Sequence, residues 1–146
     1  MVAPANIIEE AIKMRRSINL RGDFIMEEAL SAIIRSGDIS RHIKKSIKIY
    51  QNRRDHLCTL MKEHLLGFLE FNIPAGGMAV WVKFNKAHPV QKIALSVAKQ
   101  GLLMSDGNKY NTHKENYNAI RLGFASLNNI EITEVVRILK DYFQQA

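Results

Sequence analysis

The 146-residue sequence holds a single cysteine, Cys58. That excludes an internal disulfide and fits a reducing compartment. No apolar run approaches the roughly 20 residues needed to span a bilayer. The opening stretch MVAPANIIEEAIKMRR turns acidic and amphipathic too soon to hold the apolar core of a signal peptide. A soluble, cytoplasmic protein is expected. The five histidines, His42, His56, His64, His88 and His113, stand at no spacing with cysteine or carboxylates that would select zinc, so no metal site is expected. No nucleophile signature appears. Cys58 lies with Leu57 and Met61 on the apolar side of a helical stretch and reads as a packed thiol. Gly76-Gly77 lacks the spacing of a phosphate loop and precedes a strand, so it reads as a turn. Internal repeats and low-complexity tracts are also missing.

What is present suffices for one folded domain. Hydrophobic residues make up 47% of the chain, enough for a real core at this length. Lysine and arginine number 21 against 14 acidic residues, for a net charge of +7. Such an excess permits anion or nucleic-acid binding without requiring it.

The first half reads as helical. Ala3 to Ile18 carries a broad apolar stripe, with Pro4 tolerated in the first turn. Asn19 to Gly22 breaks it. Asp23 caps a second helix through Ser36, and Gly37 stops it. Asp38 or Ser40 then starts a long helix to about Leu66, whose Ile43, Ile47, Tyr50, Leu57, Met61 and Leu65 predict one side buried along its whole length. The second half changes period. Strands are expected over 68–73, in MAVWVKF (78–84), in LLMS (102–105) and in NAIRLGFAS (118–126), with helices from Pro89 to Gln100 and from Ile130 or Glu131 onward. The pattern predicts a two-layer α+β module with about three antiparallel strands and helices on one side.

Three features invite a functional reading. The run RHIKKSIKIYQNRR (41–54) sets Arg41, Lys44, Lys45, Lys48, Arg53 and Arg54 within four helical turns. Either it lies along phosphates or it is the solvated outer face of an amphipathic helix. Trp81 sits on a strand whose two faces both look covered, so core packing is the default. Arg121 is the third. Alternation puts Ile120, Leu122 and Phe124 on one face of its strand and Ala119, Arg121, Gly123 and Ala125 on the other. A guanidinium is costly to desolvate without a partner. Arg121 either makes a salt bridge to Asp106 or Glu115, or grips a carboxylate with its paired N–H donors. Gly123 and Ala119 leave space above the sheet for a ligand.

Taken in order, RHIKKSIKIYQNRRDHL, IPAGGMAVWVKF, a helix, LLMSDG, NAIRLGFAS and a final helix resemble the carboxy-terminal part of fold type I pyridoxal-phosphate aminotransferases of class I/II. The likeness is greatest to the MocR/GabR-type regulators, in which an aminotransferase-like domain follows a DNA-binding winged helix. It spans essentially the whole chain, and MVAPANII resembles the segment just after the cofactor-binding lysine. The resemblance implies that residues 1–37 are terminal helices of the large cofactor domain, and that 38–146 form the small domain with its long connecting helix. It puts Arg121 where the family's arginine grips the substrate α-carboxylate. It assigns pyridoxal phosphate to the parent protein, held there by a Schiff-base lysine, a pyridinium-pairing aspartate and a phosphate cup in the large domain. The twelve lysines here fall where the family has no such lysine. No catalytic or cofactor-binding residue, and no bound cofactor, is therefore expected in this chain, which should be inert alone as an excised piece or the product of a broken gene. The implied partners are an amino or oxo acid, the large domain and a second copy as homodimer, with DNA reached only through a winged helix. The alternative is a small basic nucleic-acid-binding module built on the 41–54 helix.

Overall fold

The computed structural model describes residues 2–18 and 22–145. Most of the break expected between the first two helices, at 19–21, lies outside them. The chain divides into two compact units, residues 1–45 and 46–146. No described helix is long and apolar enough to cross a membrane.

The first unit holds α1 (Ala5–Ile18), α2 (Phe24–Arg35) and the opening turns of α3 (Asp38–His64). Pro4 precedes α1, and its carbonyl accepts from the Ile7 and Ile8 amides at 3.0 and 3.1 Å. Asp23 caps α2 as expected, its Oδ1 accepting from the Met26 amide at 3.1 Å. Gly37, at φ +75°, takes the left-handed conformation that ends the helix at little steric cost. Neither α1 nor α2 has a buried residue, and Ile7, Ile12, Phe24, Ile25, Ile33 and Ile34 are all exposed.

Helix α3 corrects one expectation. Leu57, Cys58 and Met61 are buried, as is Leu65 just beyond its end, but Ile43 and Ile47 remain 50% and 49% exposed. Apolar spacing marks a face that is able to be buried, and only the carboxy-terminal turns of this helix meet a core.

That core belongs to the second unit. Strands β1 (Leu69–Phe71), β2 (Ala79–Phe84) and β3 (Ala119–Gly123) form an antiparallel sheet in that order. Alternation sends Leu69, Val80, Val82, Phe84 and Ile120 to one face. They pack with Leu57, Met61 and Leu65, with Val90, Ile93 and Val97 of α4 (Val90–Ala98), and with Ile132, Val136, Leu139 and Phe143 of α5 (Asn129–Gln145). Helix α5 starts at a reciprocal cap. The Glu131 amide donates to Asn128 Oδ1 at 3.0 Å, while the Asn128 amide donates to Glu131 Oε2 at 2.7 Å. The outcome is the two-layer α+β arrangement expected.

LLMS is not a strand. Leu102 and Met104 are half-buried and Leu103 is exposed, so the alternation is there, but no sheet ladder includes this segment. Its ends are committed elsewhere. The Leu102 amide closes α4 on the Val97 carbonyl at 3.1 Å, and Ser105 Oγ accepts from the Gly107 amide at 3.2 Å.

Cys58 is 1% exposed, the packed thiol expected. Burial pushes its thiol above the ordinary 9.0, with Arg54 opposing and Asp55 adding to the shift. Less thiolate forms and less reagent reaches it, so alkylation by iodoacetamide at pH 8 should run at least about tenfold slower on folded than on unfolded protein. Timed alkylation read by mass spectrometry checks this. Equal rates would place the thiol outside the core.

Candidate functional site

The helices cover one face of the sheet and leave the other open, which decides the environment of Arg121. It is exposed on edge strand β3, opposite Trp81 on β2. Residues paired across antiparallel strands project to the same side, so both side chains leave the sheet on its open face. Trp81 is 44% exposed rather than packed in the core. A three-stranded sheet with helices on one side has no second layer to bury it. Instead its ring meets Tyr110 edge-on, with centroids 5.1 Å apart and planes at 90°.

The two salt-bridge candidates for Arg121 are engaged elsewhere. Both Asp106 carboxylate oxygens accept from Asn108, one from its amide at 3.1 Å and the other from Nδ2 at 2.7 Å. Glu115 beside the Tyr117 hydroxyl raises that phenol above its usual range. Among the described residues no carboxylate pairs with Arg121. A cavity of about 290 Å³ opens beside it, lined by Arg121 and Gly123 of the strand, by Leu102, Met104 and Ser105, and by Ser126 and Leu127.

The space above the strand is only half as expected. Gly123 is exposed and a Cβ there would meet nothing nearer than the Met78 carbonyl at 4.0 Å. Ala119, however, is 1% exposed. Gly107 lies against its backbone. A Cβ on it would lie 2.9 Å from the Ala119 carbonyl and 2.7 Å from Val90, so the loop packs directly on the start of β3. Its φ of +81° likewise favours glycine.

Two supports of this site were not anticipated. Asn118, just before β3, adopts φ +47°, unusual for a residue with a side chain. Its Nδ2 faces the carbonyls of Phe84, Asn85 and His88 at 3.0, 3.1 and 3.2 Å, and its Oδ1 accepts from the Val90 amide at 2.8 Å. This one side chain ties together the end of β2, the start of α4 and the strand bearing Arg121. Asparagine's tolerance of left-handed backbone was the available signal. The second support is Arg53 of α3, which donates to the Ala125 carbonyl just past β3. Arg54 donates to the Pro74 carbonyl at 3.1 Å and pairs with Asp55 at 2.7 Å.

These contacts correct the solvated-face reading of the 41–54 run, because Arg53 and Arg54 are half-buried struts. Arg41 pairs with Asp38, leaving Lys44, Lys45 and Lys48 as exposed cations. His56 Nε2 lies 2.9 Å from Thr133 Oγ1 and 3.2 Å from the Asn129 carbonyl, a tie between α3 and α5. Among the described residues no cluster of three or more His, Cys, Asp or Glu is placed to hold a metal.

Comparison with known proteins gives a consistent result. The model of the family aminotransferase class I and II matches residues 1–139. An HTH-type transcriptional regulator of Bacillus subtilis, YdfD, is 23% identical over 131 residues, 90% of this chain and 27% of that protein. Aromatic-amino-acid aminotransferase 1 of Thermococcus litoralis is 21% identical over 145 residues, 99% of this chain and 35% of that enzyme. The crystal structure of a multiple-substrate aminotransferase from Thermococcus profundus superposes with a TM-score of 0.85 at 23% identity, covering 97% of this chain and 35% of that one. The chain thus spans about a third of the length of the relatives it matches.

Proposed function

Because this chain belongs to the aminotransferase class I and II family, we propose that it is the carboxylate-gripping part of an aminotransferase-like protein, with Arg121 holding the α-carboxylate of an amino or oxo acid. One observation carries the reading: Arg121 stands exposed on a sheet strand beside a cavity, and no carboxylate among the described residues pairs with it. Its two parallel N–H donors match two carboxylate oxygens, a fit that an ammonium lacks. Gly123, two residues on, adds no side chain to the same side of the strand. The test is amino-acid binding by the intact protein carrying Arg121→Lys.

The family implies pyridoxal phosphate in the parent, where it supplies the electron sink for amino-group transfer. The residues of this chain do not fit that group. Every described lysine is exposed except the half-buried Lys140, and among the described residues no polar or charged side chain is buried. A Schiff-base lysine needs a desolvated seat, so we assign the cofactor to other parts of the parent and expect this chain alone to be inert. The relatives include both aminotransferases and HTH-type regulators. The parent therefore either transfers amino groups or uses the same recognition to sense an effector, in which case DNA is contacted by a winged helix outside these residues.

The exposed apolar residues of α1 and α2 belong, on this reading, to an interface with the large domain or a second copy. The isolated chain is expected to self-associate with a concentration-dependent sedimentation coefficient. A strict monomer whose α1 and α2 amides are fully protected from hydrogen exchange would contradict this.

A further inference from the structure

Resting on the carboxylate reading of Arg121, we infer that Arg53 of α3 is a positioning residue for that grip. It acts through the main chain, where its guanidinium donates to the Ala125 carbonyl. Ala125 is the fourth residue after Arg121. Asn118, whose side chain knots the other end of the strand, is the third before it. Arg121 therefore stands on a segment tied down on both sides. The Ala125 end is also where the ligand space is walled. Ser126 and Leu127, the next two residues, line the cavity beside Arg121 together with Gly123.

Arg54 reinforces this end of the sheet from the neighbouring segment. Strand β2 starts where β3 finishes, with Ala79 opposite Gly123 and the Phe124 amide donating to the Met78 carbonyl at 3.1 Å. Arg54 donates to the Pro74 carbonyl, on the connection that leads into β2. Consecutive arginines of one helix thus hold the backbone on both sides of this end. Arg53 is half-buried, and no carboxylate among the described residues pairs with it. Its charge is directed at a carbonyl instead, in a charge-assisted bond stronger than a neutral one. Two parallel donors must meet two carboxylate oxygens, so the grip tolerates only about 0.5 Å of displacement. Releasing Ala125 lets the strand end and the cavity wall drift beyond that.

The intact protein is titrated with the twenty standard amino acids, and with the amine that corresponds to the tightest of them without its carboxylate. Arg53→Met keeps an unbranched stem but no donor. It should weaken that amino acid about tenfold and leave the amine unchanged. In an Arg121→Lys background the same substitution should cost nothing further, because the fork it positions is gone. Thr133→Val removes a different tie of α3, to α5 through His56, and should leave binding as it is. Arg53→Gln, too short to reach Ala125, decides the matter if Arg53→Met does not fold. Parent-like affinity in the Arg53 variants, with a loss in Arg121→Lys, would overturn the positioning role and leave the carboxylate reading standing. So would equal losses of amino acid and amine, additive losses in the double variant, a matching loss in Thr133→Val, or failure of both Arg53 variants to fold. Unchanged affinity in Arg121→Lys, or saturable binding of no amino acid, would overturn both.

Discussion

Arg121→Lys in the intact protein is expected to weaken amino-acid binding by about 2–4 kcal/mol, the range for disrupting a desolvated, hydrogen-bonded charge pair. Lysine keeps the charge and much of the length. It loses the fork of two parallel donors, so the carboxylate is held at one point and free to rotate. Stability should barely change. No carboxylate among the described residues pairs with Arg121, so no folded-state ion pair is broken, and exposed substitutions without such ties usually stay within about 0.5 kcal/mol. Cofactor absorbance should also persist, since the proposal assigns the cofactor's anchors to other parts of the parent. The measurements are amino-acid affinity, the cofactor spectrum and the melting temperature, beside the parent protein. Unchanged affinity together with a large drop in melting temperature would sink the carboxylate role and make Arg121 a structural residue.

Asn118→Ala should destabilise the second unit by about 3–4 kcal/mol, from three losses that add. The Val90 amide at the start of α4 loses its side-chain cap, because Pro89 supplies none, and such caps are typically worth about 1 kcal/mol. The carbonyls of Phe84, Asn85 and His88 lose the donor they share, at about 1 kcal/mol or more for part-buried groups. Alanine at φ +47° adds about 1–2 kcal/mol of backbone strain. Glycine removes only the strain, so Asn118→Gly should be about 1 kcal/mol milder than Asn118→Ala. Urea unfolding of the three proteins would read both differences. If alanine costs less than about 0.5 kcal/mol, the hydrogen-bond knot is not holding β3 in place. If glycine is no better than alanine, the strain argument fails.

Local punctuation and alternation were legible in the chain alone. Asp23 before an apolar run and Gly37 after it each satisfy orphan backbone groups within one turn, so neighbouring residues suffice to report them. Alternation likewise placed Ile120 and Phe124 inward and Arg121 outward, because side-chain direction in a strand has a period of two. Which of those faces is covered depended on packing between elements. Trp81 and Val82 are adjacent and both apolar, yet one stands on the open side of the sheet and the other is buried, since helices form a layer on one face alone. Ile43 and Leu57 belong to the same helical stripe, and only Leu57 reaches the core. The partners of Arg53, His56 and Asn118 lie 72, 77 and 28 residues away in the chain, beyond any periodic signal. Whether Arg121 was left without an acid depended on folding too, as in the turn that commits both Asp106 oxygens to Asn108. Composition supplies acids and bases, but only folding assigns them to one another.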